Sequence, residues 1–409
     1  MKPLPMRIRR FCAFITGVVF FLSGIFKLLD PVGAGLVMED YYRFFHLDFL
    51  VFSAKPVALV LALLETVTGA ALITGLWRKV TAIAASVLLG LFTLLILVLV
   101  IFNPVMDCGC FGEVIHLTHM ETFVKNLILC ALALAAFLPY RDFGHNRRRK
   151  YVAFTMVMAG VIAFTVYSLL YIPLVNYTDF KPASRLLAAE RFHETDGEDM
   201  FDYVLVYEKG GKQKEFSLEN LPDSTWTFVE SKAVPKTGYR QEIFPELSFT
   251  DAAGEYRSEL AIQHNVMVLS VYRTGSVNRA KWEKAAYFIE TARSYGFFPI
   301  LLVSSYPQAF QTALEKSGLD TDIADYLYEN AYYADYKALI SMNRSNGGVT
   351  CFDNGYLVRK WSYLNMPDAD DLGEQASGDI TETLLDFSTS GNLTFKGFLL
   401  YCFAVMLLL

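Results

Sequence analysis

Charge is scarce in this chain, and the shortage is not spread evenly. Only 19% of the 409 residues are charged, 54% are hydrophobic, and the mean hydropathy is +0.32. A soluble protein of this length carries more charge. The apolar residues concentrate in the first part and in the last few residues, whereas the central block has an ordinary composition. We therefore expect a membrane domain and one soluble domain of moderate size.

Several sequence features are missing. The chain has no Gly-rich phosphate loop, no Walker motif and no Ser-His-Asp set in a recognisable context, and its net charge of −6 argues against nucleic acid as a partner. Six cysteines are too few for a scaffold stapled by disulfides. Three of them fall within apolar runs, where cysteine usually behaves as a small hydrophobe: Cys12, Cys130 and Cys402. Cys351 stands alone in the soluble block, so only Cys108 and Cys110 form a local pair.

The local pair lies in the segment DCGCFGE, residues 107–113, between two long apolar runs, so we expect it at a membrane surface. Gly109 tolerates the unusual φ/ψ that a very small disulfide ring needs. Such a ring is expected to be strained, and strained exposed disulfides are the labile, catalytic or regulatory ones. Two other interpretations stay open: a tight turn with two buried thiols, and a metal site completed by His116 and His119. The spacing of that metal set fits no zinc motif.

The apolar runs are long enough to cross a membrane. Five of them have about twenty residues each, which covers a hydrocarbon core of about 30 Å. They comprise residues 11–29, 56–77, 80–102, 118–138 and 151–172, and the short run 395–409 is a candidate for a sixth. The mixed, aromatic segment 32–55 suits a short helix lying in the membrane interface.

Basic residues predict the orientation of these spans. The amino-terminal cluster, Arg78-Lys79, and the cluster within 141–150 fall on one side if the spans alternate, and the positive-inside rule makes that side cytoplasmic. The cysteine loop and residues 173–392 then face outward, where disulfides can form. We expect a multi-pass protein of the bacterial inner (plasma) membrane with a periplasmic domain, in contact with the lipid bilayer.

The exported block alternates strand-like and helix-like segments. A strand at 201–207 meets the hairpin signal of residues 209–212. Further segments in the order β-α-β-α-β-β lie at 266–272, 279–295, 297–304, 307–316, 349–352 and 356–361, and a segment at 333–342 precedes the last two. This order predicts an α/β domain with a thioredoxin-like fold.

Several motifs resemble those of DoxX/MauE-like membrane proteins of the Bacteroidetes type: FLSGIFKLLDP at 21–31, LETVTG at 64–69, DCGCFGE at 107–113 and TFVKN at 122–126. The resemblance continues in YTDFKP at 177–182 and DSTW at 223–226. It extends into the predicted exported block, residues 173–392, which we call the outer domain. It implies a four-helix membrane domain. MauE is similar to a maturation factor for methylamine dehydrogenase, whose small subunit is rich in disulfides. The resemblance therefore implies periplasmic thiol chemistry, without making methylamine the substrate.

The outer domain departs from a redox-active thioredoxin. Such a protein places C-x-x-C after its first central strand and a cis-proline before its third. Here the corresponding segments, 271–278 and 344–349, contain neither cysteine nor proline. We expect a thioredoxin-like domain without thioredoxin chemistry, and a buried structural thiol at Cys351.

The predicted fold is a polytopic α-helical membrane domain, built on a four-helix DoxX/MauE-like bundle with additional spans, together with an extracytoplasmic α/β thioredoxin-like domain. We divide the chain into a membrane bundle, a cytoplasmic loop with the fifth span, a β-rich connecting segment, a thioredoxin-like domain lacking C-x-x-C, and a linker with a candidate terminal span. The corresponding ranges are 1–140, 141–172, 173–242, 243–370 and 371–409.

Two functions stay open. The first is a thiol–disulfide oxidoreductase or protein-maturation factor, in which Cys108 and Cys110 are the catalytic pair and a periplasmic thiol protein is the partner. Asp107 and Glu113 would oppose ionisation of a thiol, and His116 or His119 could offset them. The alternative is a non-catalytic membrane scaffold that displays a redox-inactive binding domain.

Charges within the apolar runs are the remaining candidates for a site. A charge in the bilayer costs at least about 2.5 kcal/mol unless it is paired or hydrated. Glu65 in the second run and Lys27 in the first either form a structural bond, such as a pair with each other, or line a polar pocket that binds a cofactor below the cysteine loop. The cofactor is left unidentified, with a quinone as the candidate.

Overall fold

The computed structural model describes residues 5–104, 108–115, 117–138, 148–186, 201–209, 212–217, 227–235, 245–378 and 380–408. Asp107, His116, residues 139–147 and the DSTW motif lie outside these ranges. Among the described residues, six helices are long and apolar enough to cross a membrane. The helices of the membrane domain are α1 (Met6–Leu29), α2 (Pro31–Phe44), α3 (Ala54–Thr74), α4 (Arg78–Phe102), α5 (His119–Phe137), α6 (Arg148–Leu170) and α12 (Ile380–Leu408).

Small residues bring α1 and α3 into close contact. A Cβ on Gly24 would lie 2.6 Å from the carbonyl oxygen of Ala62, and a Cβ on Gly69 would overlap the backbone of Phe21. Small residues let membrane helices approach each other closely in this way. The approach places Ser23 and Lys27 of α1 opposite Glu65 of α3.

The last helix is longer than the sequence predicts. Helix α12 begins at Ile380, whereas the apolar run begins only at Phe395, because the first half of the helix is rich in Thr, Ser and Asn. Phe398 stacks on Phe164 of α6 with ring centroids 4.5 Å apart. The candidate interface segment forms α2 and a 3₁₀ helix, Asp48–Ser53.

Outside the membrane domain, the described residues form two sheets. Strands β2 (Phe201–Lys209), β3 (Lys212–Ser217) and β4 (Thr227–Pro235) form an antiparallel sheet in the order β3-β2-β4, with Lys209 opposite Lys212 as the hairpin signal predicts. The larger sheet has the order β10-β9-β6-β7-β8-β5. Its strands are β5 (Phe249–Thr250), β6 (Val266–Val271), β7 (Phe298–Val303), β8 (Ala331–Ala334), β9 (Gly348–Asp353) and β10 (Tyr356–Trp361).

The larger sheet has a parallel centre. Strands β6, β7 and β8 are parallel, and β9, β10 and β5 are antiparallel to their neighbours. Every residue of β6 is buried, as a strand covered on both faces requires. The covering helices are α7 (Arg279–Ser294), α8 (Pro307–Lys316), α9 (Thr321–Glu329), α10 (Tyr336–Met342) and α11 (Ala369–Ser377). The predicted order β-α-β-α-β-β was wrong, because α9, β8 and α10 lie between α8 and β9. The segment at 333–342 covers the end of β8 and α10, and β8 has only four residues, which carry little periodic signal.

Candidate functional site

The cysteine loop returns to the membrane domain through one short strand, β1 (Cys110–Glu113). Gly109 has a φ of +60°, and a Cβ there would overlap the side chain of Val37 on α2. Glycine therefore meets both a conformational and a spatial requirement at this position. Tyr41 of α2 donates a hydrogen bond of 2.8 Å to the carbonyl of Cys108, which holds the loop against α2.

The structure holds Cys108 and Cys110 as free, neighbouring thiols rather than as a disulfide. Cys108 is 7% exposed, and Cys110 is only partly buried. The Sγ of Cys108 lies 3.0 Å from the hydroxyl of Thr122 and donates to the carbonyl of Leu117 at 3.2 Å. The two residues are thus inequivalent: the sulfur of Cys108 contacts Thr122 of α5, and Cys110 is the more exposed residue of the two.

The environment shifts the pKa values of the two thiols in opposite directions. A hydrogen bond from Cys110 lowers the pKa of Cys108 to about 5, against the opposing effect of burial, with further help from Thr122 and Lys125. The same hydrogen bond, followed by burial, raises the pKa of Cys110 well above its usual value. Because the two groups are coupled, the pair as a whole loses its first proton readily and holds its second. On ionisation Cys108 loses its hydrogen bond to the carbonyl of Leu117 and accepts hydrogen bonds from Cys110 and Thr122. On balance the arrangement favours a thiolate at Cys108 beside a neutral thiol.

Lys125 is the cation that sequence reasoning missed. Its ammonium lies 4.6 Å from the ring centroid of Phe111 in the cysteine loop. The histidines were expected to offset the nearby carboxylates, but His119 contacts Asn103 instead, and Glu113 is paired elsewhere. The TFVKN motif indicates this position of Lys125, because Thr122, Lys125 and Asn126 are spaced i, i+3 and i+4 and therefore share one face of α5.

Lys27 and Glu65 form a salt bridge inside the membrane domain. Glu65 is 1% exposed, so the pair satisfies the requirement that an intramembrane charge be matched. The hydroxyl of Ser23 lies 2.6 Å from Glu65 Oε2 and 2.6 Å from the carbonyl oxygen of Cys110, and its one hydrogen can serve only one of them at a time. Ser23 therefore connects the charged pair to the cysteine loop.

A cavity of about 340 Å³ lies beneath the cysteine loop. It brings together all four residues that the sequence singled out, namely Cys108, Cys110, Lys27 and Glu65. Most of its walls are apolar, contributed by α1 to α5. Further polar side chains in the lining are Ser23, Tyr41, Tyr42, Lys125 and Asn126. A cavity of this size, apolar with a few convergent polar groups, has the character of a small-molecule site.

The outer domain contacts the same loop through Arg344. This side chain is 5% exposed and pairs with Asp30 at 2.8 Å and with Glu113 at 3.2 Å. Asp30 joins α1 to α2, and Glu113 ends β1, so one guanidinium joins the α1–α2 junction to the end of the cysteine loop. Burial by itself lowers the pKa of Arg344. The negative charges of Asp30 and Glu113 outweigh this effect, so the pKa lies above its usual value.

Two further ion pairs connect the domains at the surface. Arg273 pairs with Glu39 at 2.8 Å, and Lys337 pairs with Asp40 at 3.3 Å. Both carboxylates belong to α2, whereas Arg273 follows β6 and Lys337 belongs to α10. The outer domain therefore contacts the membrane domain with the edge at which β6 ends.

The predicted metal set does not assemble within the part of the chain that the structure describes. No group of three or more His, Cys, Asp or Glu side chains in those ranges could hold a metal ion. His116 lies outside them. Cys351 is buried in β9, and burial raises the pKa of its thiol to about 12, as suits a structural thiol.

Two parts of the chain match known families. Residues 6–139 match the family described as methylamine utilisation protein MauE. The membrane domain is MauE-like over these residues, which contain both cysteines and the Lys27–Glu65 pair. Residues 201–236, which cover β2 to β4, match a domain of unknown function, DUF8463. No curated protein and no solved structure matches the chain.

Proposed function

We propose that this protein is a thiol–disulfide exchange factor that oxidises a thiol protein on the outer side of the bacterial inner membrane. The observation that carries the proposal is the asymmetry of Cys108 and Cys110 at the mouth of a membrane cavity. One thiol has a depressed pKa, and the other a raised one. A thiol of low pKa is a good leaving group in disulfide exchange, so attack on Cys110 with Cys108 as the leaving group is the favoured direction.

The proposed step begins with the pair as a disulfide. A thiolate of the partner attacks the sulfur of Cys110, the bond between the two cysteines breaks, and Cys108 leaves as a thiolate. The partner's second thiolate then attacks its own sulfur in the mixed disulfide, and Cys110 leaves and takes up a proton. The partner loses two electrons and two protons. The pair gains the electrons and one proton, and the other proton passes to solvent.

The direction of electron flow follows from the stabilised thiolate. Hydrogen bonds from Cys110 and Thr122 and the charge of Lys125 stabilise Cys108 in its ionised, reduced form. Stabilising the reduced form makes the corresponding disulfide a stronger oxidant. This supports electron transfer from the partner to the pair rather than the reverse.

The outer domain is proposed to be thioredoxin-like and redox-inactive. The order β10-β9-β6-β7-β8, with a parallel centre and an antiparallel hairpin at one edge, supports the fold assignment. Arg273 and Thr274 follow β6 at the place where a redox-active domain carries cysteine. Arg344 and Arg273 are instead used in contacts with the membrane domain. The proposed role of this domain is to hold the cysteine loop and to present it to the partner.

The proposed location rests on charge. Arg9, Arg10, Arg78 and Lys150 line one cavity at the end of the membrane domain away from the cysteine loop. Under the positive-inside rule that end is cytoplasmic, and the cysteine loop and the outer domain are periplasmic. An oxidising compartment is where a disulfide-exchange factor can operate.

Trapping of mixed disulfides tests the proposal against the alternative of a non-catalytic scaffold. In Cys108→Ser, Cys110 should attack the disulfide of the oxidised partner, with one partner sulfur as the leaving group, and should retain the partner as a mixed disulfide, because Cys108 is no longer there to displace it. Cys110→Ser should retain much less, since Cys108 is enclosed. Cys351→Ser is the control and should behave as the unmodified protein. Equal absence of adducts from both single variants would favour the scaffold.

A further inference from the structure

A buried amide in the cavity has no partner. Asn126, on the first turns of α5, is 3% exposed, and its Nδ2 makes no hydrogen bond to any described residue. Buried side-chain donors are paired in the great majority of cases, so each exception needs an explanation. The amide lines the cavity that also contains Cys108 and Cys110. A ligand with an acceptor oxygen would accept the missing hydrogen bond from Asn126 Nδ2.

The charges around the cavity select a neutral ligand. Lys27 is matched by Glu65, and Lys125 lies close to the thiolate that the pair favours at Cys108. An anionic headgroup would compete with that thiolate for Lys125, and a cationic group would find no unmatched carboxylate among the described lining residues. A carbonyl oxygen accepts from the amide of Asn126 without bringing charge into the membrane.

The remaining lining residues are apolar and favour a ligand with an apolar body that enters from the bilayer. Val57 and Leu61 of α3 and Phe92 and Leu95 of α4 line the cavity and are only partly buried. Both helices also present exposed apolar residues, such as Leu64, to the surroundings. A flexible hydrocarbon tail fits between α3 and α4, with the polar ring beneath the cysteine loop.

We infer that this cavity binds a membrane quinone, with one ring carbonyl accepting a hydrogen bond from Asn126 Nδ2. The inference rests on the proposed function, because it supplies the oxidant that restores the disulfide. Re-oxidation of the pair forms the sulfur–sulfur bond and releases two electrons and the one proton that Cys110 holds. A bound quinone would take up both electrons, that proton and a second proton from solvent, and would leave as the quinol.

Decylubiquinone is a suitable probe of this site in the purified full-length chain. Binding is measured by the quinone-dependent rise in melting temperature, and thiol oxidation by the loss of alkylatable cysteine. The variant with both Cys108 and Cys110 changed to Ser should still bind the probe. Asn126→Leu should weaken binding at least tenfold, and Asn126→Ser should weaken it while preserving more of the fold. The matched control is Ser168→Ala on α6, since Ser168 is also buried without a partner but lies outside the cavity lining.

The outcomes separate the two proposals. Binding in the cysteine-free variant that is lost in both Asn126 variants and kept in the Ser168 control supports the quinone site. Probe binding that Asn126 variants leave unchanged, or no binding at all, overturns this inference. If disulfide exchange with a protein partner persists in that case, the proposed function survives without a quinone. Binding without any thiol oxidation would retain the site but overturn the role of the quinone as the oxidant of the pair. The proposed exchange with a protein partner is then judged by the trapping of mixed disulfides alone.

Discussion

Loss of Arg344 should release the cysteine loop from the outer domain. Its side chain is 5% exposed and pairs with two partly buried carboxylates, Asp30 at 12% and Glu113 at 25% side-chain exposure. Removing one partner of a buried ion pair costs about 3–5 kcal/mol, because the remaining charges stay buried without compensation. We therefore expect Arg344→Gln to destabilise the docked state by about this amount.

Hydrogen exchange of backbone amides in the cysteine loop and β1 measures this effect. Since about 1.4 kcal/mol corresponds to a factor of ten, exchange through undocking should accelerate by a factor between about 10² and 4 × 10³. The control is Lys337→Gln, whose pair with Asp40 has 61% and 32% side-chain exposure, and it should cost at most about 1 kcal/mol. Adding Asp30→Asn and Glu113→Gln to Arg344→Gln should recover part of the loss.

Equal exchange in the two single variants would refute this reasoning. It would mean that the loop is held by the contacts of Tyr41 and Val37 on α2 rather than by the outer domain. A loss in Arg344→Gln that the added Asp30 and Glu113 changes leave wholly unrestored would show that packing, not unpaired charge, is responsible.

Three other predictions concern individual groups. Alkylation of Cys108 by a small reagent should be almost independent of pH between about 6.5 and 8, because a thiol with a pKa of about 5 is already ionised there. Cys110→Ala should raise that pKa and make the rate climb through the same interval, whereas a steep climb in the unmodified protein would contradict the assignment. Glu65→Gln leaves Lys27, whose side chain is 15% exposed, without a carboxylate partner in the membrane domain. The change should cost at most about 3–5 kcal/mol, seen as lower membrane abundance and melting temperature, and adding Lys27→Met should restore both. Unchanged abundance in the single variant would disprove the structural role of the pair. The chain with Cys108 and Cys110 changed to Ser should not reduce insulin disulfides, and turnover that depends on Cys351 would show that the outer domain is redox-active.

Much of the membrane domain could be predicted from the sequence. Each long apolar run became a helix with bounds close to those expected, because a span needs a minimum apolar length. The pairing of Lys27 with Glu65 followed from the cost of isolated charge in lipid. Helix α12 shows the limit of this reasoning, since its polar first half carries no hydropathy signal.

The rest of the site depends on contacts between distant parts of the chain. Arg344 reaches Asp30 across 314 residues, and nothing near either residue in the sequence indicates this pair. Asn126 is polar within an apolar helix, but its missing partner becomes evident only when the cavity is seen. Likewise Lys125 acts on the thiols through the packing of α5 against the cysteine loop.

The redox state of the pair in intact cells tests the central claim most directly. Cells are quenched in acid, free thiols are alkylated with a reagent that changes protein mass, and Cys108 and Cys110 are followed at increasing oxidant. A variant with the other four cysteines changed to Ser restricts the readout to this pair. We predict that both thiols are lost together as a disulfide forms and return when reductant is added. Two thiols that stay fully reduced and unreactive at every oxidant level would contradict the account.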